Sequence, residues 1–72
     1  MNTRKYDFSP LAEPAGEITH AGAGKTASDR REDCRKWRQA AQQHAWRRHW
    51  RIAANIVRVP GGGVTLFIRR LV

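Results

Sequence analysis

Arginine and tryptophan are interleaved in two runs, Arg35-Lys36-Trp37-Arg38 and Trp46-Arg47-Arg48-His49-Trp50-Arg51. Guanidinium groups present forked donors that fit phosphate oxygens, and indole rings offer flat faces on which bases stack or against which a core packs. After Asp33 the chain has no further carboxylate side chain, yet it carries Arg35, Lys36, Arg38, Arg47, Arg48, Arg51, Arg58, Arg69 and Arg70. Residues 1–28 balance Arg4, Lys5 and Lys25 against Asp7, Glu13 and Glu17, so the formal net charge of +8 belongs entirely to residues 29–72. Charge segregated in this way favours polyanionic partners. A GC-rich coding bias explains arginine over lysine, but it supplies Asp and Glu readily and does not remove them.

Other chemistries are poorly served. Gly22-Ala23-Gly24-Lys25-Thr26 ends like a phosphate-binding loop, but Thr19 stands where that motif needs its first glycine. The segment reads instead as a Gly-rich lead into a helix, with Lys25 and the helix N-terminus able to hold at most one phosphate of a larger ligand. His44 and His49 are five residues apart and so turn to different helix faces, with Cys34 two to three turns away, which predicts no metal site. The six acids, Asp7, Glu13, Glu17, Asp29, Glu32 and Asp33, form no pattern with a His, Ser or Cys nucleophile, and Ser9 and Ser28 have no hydrolase context. The expectation is a protein that is not an enzyme and carries no cofactor.

The elements that position the cations follow from composition and period. A chain of 72 residues forms one domain at most, with marginal stability. Cys34 is the single cysteine, so no intrachain disulfide is possible and a small apolar role in a reducing compartment is expected. The N-terminal MNTRKYDFSP has no apolar run behind its basic residues, which argues against a secretory signal or a membrane span and for a cytoplasmic protein.

The fold class expected is α+β: an irregular N-terminal arm, one long amphipathic basic helix, then a C-terminal β-hairpin packed on it. Residues 1–26 mix Pro10, Pro14, Gly16, Gly22 and Gly24 with scattered apolar residues and read as the arm. Tyr6, Phe8 and Leu11 are available to pin it down or to pair as a short edge strand that Pro10 would limit. Residues 27–72 form the folded unit. From Ala27 to about Asn55 neither Pro nor Gly interrupts a run of good helix formers, with Thr26 or Ser28 as N-cap and Asp29, Glu32 and Asp33 in the first turns. At roughly 100° per residue, Cys34, Trp37, Ala41, Ala45, Ile52 and Ile56 share a core stripe. Trp46, Trp50, Ala53 and Val57 form a second stripe beside it. Asn55–Val59 and Val64–Val72, flanking Pro60-Gly61-Gly62-Gly63, read as a hairpin with Val64, Leu66 and Ile68 on one face and Thr65, Phe67 and Arg69 on the other. The apolar face is expected against the tryptophan side of the helix, making Trp37, Trp46, Trp50 and Phe67 core or interface aromatics.

The leading functional expectation is a small nucleic-acid-binding accessory protein that grips the phosphate backbone of DNA or RNA through the nine cations named above. Gln39, Gln42 and Gln43 are chemically able to read base edges. A second expectation is a regulator or inhibitor of phage or plasmid type that docks its basic helix on an acidic surface of a larger complex, since Trp and Arg dominate interface hot spots. A third is a Trp- and Arg-rich helix lying on anionic membranes, which leaves the hairpin without a partner. A tryptophan stripe left exposed after hairpin packing would favour a homodimer.

Overall fold

The computed structural model describes residues 6–72; Arg4 and Lys5, at the start of the expected arm, lie outside the described residues. The fold is α+β. A 3-10 helix, Ser9–Ala12, is followed by strand β1 (Glu17–Ala21), helix α1 (Ala27–Arg47), strand β2 (Ile52–Val59) and strand β3 (Gly63–Arg70). β3 is central and antiparallel to both neighbours, in the order β1-β3-β2. The chain thus crosses by α1 from one edge strand to the other, and the hairpin then inserts its second strand between them, a split β-α-β arrangement. One helix on one sheet leaves the opposite sheet face uncovered, and the shortest principal extent is 15 Å.

Helix α1 starts as the sequence predicts. The Thr26 hydroxyl accepts a hydrogen bond from the Asp29 N–H at 3.1 Å, satisfying one of the unpaired donors of the first turn. It ends eight residues before the expected Asn55, in a Schellman motif. The Trp50 N–H donates to Ala45 O at 2.9 Å and the His49 N–H to Trp46 O at 3.2 Å, with His49 left-handed at φ 59° where glycine is usual. The reason lies in the sheet: Ile52, Ala53, Ala54 and Asn55 pair with Arg70, Arg69, Ile68 and Phe67. A helix continued through these residues would leave that half of β3 without its β2 partner. Pairing here overrides a run of good helix formers.

The expected alternation of the hairpin holds. Val64, Leu66 and Ile68 are buried, whereas Phe67 and Arg69 face solvent. The turn is Pro60-Gly61-Gly62, joining paired Val59 and Gly63, with Gly61 and Gly62 at φ 88° and 87°, a region open to glycine. Of the tryptophans in α1, Trp37 packs half-buried against the core and Trp46 stays exposed. Cys34, Ala41 and Ala45 are the buried helix residues, joined in the core by Phe8, Leu11, Val64, Leu66 and Ile68. The predicted first stripe is therefore correct up to Ala45, and Ile52 and Ile56 join the core margin from β2. The second stripe does not exist as a helical face, because Trp50, Ala53 and Val57 lie beyond the helix end.

From Tyr6 onward the arm is far more ordered than expected. Glu17–Ala21 pairs with β3 from Glu17↔Arg69 to Ala21↔Thr65. Pro10 sits in the 3-10 helix upstream and does not limit this strand. Pinning by aromatics is borne out: Phe8 and Leu11 are buried, and Trp37 receives Tyr6 and Phe8 edge-on at 5.0 and 5.7 Å between ring centroids. The strand escapes the apolar signal because its inner face carries Ile18 and then His20, a polar residue. His20 is accommodated by stacking on Trp37 at 4.1 Å and by a 2.7 Å hydrogen bond between its Nε2 and Asp33.

Candidate functional site

The Gly22–Thr26 loop is a stapled connection. Gly22 N–H donates to Val64 O at 2.7 Å and Ala23 N–H to the Asp33 carboxylate at 3.0 Å, so two amides that a phosphate would need are engaged. The Arg30 guanidinium binds the carbonyls of Gly24, Lys25 and Gly62, tying the helix start to the hairpin turn. Gly22 is needed for close approach, since a Cβ there would lie 2.4 Å from Arg30 O. Among the described residues no three His, Cys, Asp or Glu side chains come together as metal ligands. Cys34 is fully buried, its thiol 3.8 Å from Val64 O, and burial, aided by the nearby Asp33 charge, pushes its pKa up. It is a core group.

The cations expected to act together divide into several environments. Arg70 spends its guanidinium on the carbonyls of Leu11 at 3.1 Å, Ala12 at 3.0 Å and Val72 at 3.1 Å, with the indole of Trp50 4.1 Å away. It acts as a clamp on the 3-10 helix. Arg48 folds back on His44, and Arg69 lies on the open sheet face 3.9 Å from Glu17. Arg35 is 3.7 Å from Glu32, and it shares a shallow depression on the solvent side of α1 with Lys36, Arg38, Gln39 and Gln42. Gln43 is exposed.

The remaining arginines converge. On α1, Arg31 and Arg38 are seven residues apart and flank the side of the helix next to β2. Arg58 alternates with Ile56 and Ala54 on the helix-facing side of that edge strand. The three line one groove of about 420 Å³ with Ala54, Asn55, Ile56 and Val64. It continues past Arg31 and Arg58 to Ser28 and the Gly62-Gly63 turn. Among the described residues, no carboxylate lies within salt-bridge distance of Arg31, Arg38 or Arg58. Three guanidinium groups on facing elements, none ion-paired among the described residues, place a concentration of positive charge beside an edge strand. Sequence reasoning named Arg38 and Arg58 but passed over Arg31, which stands among Asp29, Glu32 and Asp33. Two of those acids are directed elsewhere, Glu32 towards Arg35 and Asp33 to His20 and Ala23.

Beyond the helix end, Arg47 and Arg51 line a second concavity with Trp46, His49 and Trp50. Trp46 is 80% exposed, whereas Trp37 and Trp50 are half-buried. Arg47 and Arg51, four residues apart, do not share a helix face, because Arg51 lies past the Schellman motif; the turn brings them to one concavity instead. Phe67, 44% exposed, stands on the open sheet face between Thr19 and Asn55, outside the core. Among the described residues no helix is long and apolar enough to cross a membrane. Comparison with protein-family models, curated proteins and solved structures finds no match for this chain.

Proposed function

We propose that the protein binds nucleic acid through its phosphate backbone, which runs along the groove between α1 and β2. The observation that carries this reading is the convergence of Arg31, Arg38 and Arg58 on one groove, none of them in an ion pair among the described residues. Buried charges normally acquire partners, and solvated helices normally mix signs. Here the groove is open and its cations are left for an external anion. Arg47 and Arg51 extend the positive surface past the helix end. Backbone contacts give affinity with little base selectivity, and Gln42 on the adjoining helix face is the group placed to touch base edges.

The test is fluorescence anisotropy of labelled random-sequence DNA and RNA, titrated with protein at several salt concentrations. With about five arginines on phosphates, log affinity falls with log salt at a slope of roughly −4 to −5. No binding at low salt overturns the proposal. A second reading, an acidic protein partner, draws on the apolar residues of the uncovered sheet face, where Val57, Phe67 and Leu71 are exposed. Stoichiometric capture of one protein that competing nucleic acid does not displace would favour it.

A further inference from the structure

We infer that Trp46 is a stacking platform for an unpaired base, and that the preferred ligand is therefore single-stranded nucleic acid. The inference rests on the nucleic-acid reading and narrows it. An indole 80% exposed gives up burial that a tryptophan ordinarily contributes to a core, and among the described residues Trp46 makes no ring contact. Trp50, lining the same concavity, already carries Arg70 over its ring at 4.1 Å. It serves as a wall, and Trp46 offers the free face. Arg47 and Arg51 line the same concavity, placed for the phosphates on either side of a stacked base.

Trp46 also follows Arg38 and Gln42 at successive steps of four along α1, so it stands in line with the flank that carries the groove arginines. A strand lying along Arg31, Arg38 and Arg58 reaches Trp46 at the end of the helix. Base pairs in a duplex keep their faces stacked on one another and cannot offer one to an indole. A single strand can, at low cost and with little dependence on sequence.

The test compares a labelled single strand of about 15 nucleotides, within the span such proteins cover, with a duplex of the same length. Both are titrated with the full chain as wild type, Trp46→Ala and Trp46→Phe. Trp46→Ala is expected to weaken single-strand binding roughly 5- to 150-fold, with the salt slope unchanged because no charge is removed. Duplex binding should change less than about twofold, and Trp46→Phe should retain most of the affinity. The far-ultraviolet circular dichroism of both variants should match wild type, since the ring supports no core contact. Equal losses on both ligands, no loss on either, or a changed oligomeric state without a single-strand defect overturn the stacking role while leaving the groove reading standing. Failure of wild type to bind either ligand at low salt overturns both.

Discussion

Arg70→Met separates a structural arginine from a binding one. The guanidinium makes hydrogen bonds to Leu11 O and Ala12 O at 3.1 and 3.0 Å and lies 4.1 Å from the Trp50 centroid. Hydrogen bonds to a charged donor contribute about 1.5–3 kcal/mol when buried. These are only partly buried, so about 1 kcal/mol each is a fair discount, and the cation–π contact adds about 1 kcal/mol. The sum is about 3 kcal/mol, for a chain of 72 residues whose whole stability is of the order of 4–11 kcal/mol. Methionine keeps the apolar stem and removes the donors. The expected result is a Tm lower by about 10–25 °C, followed by circular dichroism and tryptophan fluorescence, with the 3-10 helix and β1 the elements released most easily. At temperatures where the variant remains folded, its affinity for nucleic acid should stay within about threefold, because Arg70 lies outside the groove. A Tm change under about 2 °C would refute the clamp. A large loss of affinity in the folded variant would return Arg70 to the binding surface.

Two further predictions concern stability. His49→Gly should stabilise by about 0.5–1 kcal/mol, because His49 holds φ 59° at the position after the helix cap, where glycine meets no Cβ penalty; a drop in the urea midpoint would show that the imidazole contributes more than the strain costs. Burial raises the Cys34 pKa above its ordinary value of 9.0, so the folded thiol keeps its proton at pH values where the unfolded one ionises. That contribution is fully present below the unfolded pKa and is lost as pH rises towards the folded one. The urea midpoint should accordingly decline above about pH 8.5–9, more steeply than in Cys34→Ala, and identical profiles in the two proteins would contradict the assignment.

What the sequence made legible is what local chemistry controls. The Thr26 cap, the Cys34-Trp37-Ala41-Ala45 face and the alternation of Val64, Leu66 and Ile68 each depend on spacing within one element, and each is found as read. The helix end was not legible, because a left-handed His49 bears no residue signal and the partners of the competing strand residues 52–55 lie 12 to 18 residues away in sequence. Strand β1 was hidden for a related reason: His20 occupies an inward position only because Trp37 and Asp33 meet it from α1. The cations were all visible as charges, but their division was not. Whether an arginine clamps backbone carbonyls, as Arg30 and Arg70 do, or faces an open groove, as Arg38 and Arg58 do, depends on distant carbonyl positions that composition does not record.

The most direct test of the groove is a pair of charge-matched triple variants, Arg31→Gln/Arg38→Gln/Arg58→Gln and Arg35→Gln/Lys36→Gln/Arg69→Gln, each removing three positive charges. Both are titrated with labelled nucleic acid across salt concentrations after circular dichroism confirms the fold. The groove variant should lose most of its affinity at low salt and flatten the salt slope by roughly 2–3, while the control variant keeps a slope within about 1 of wild type. Equal losses in the two variants would mean that net charge alone attracts the polyanion and that the groove between α1 and β2 is not where it binds.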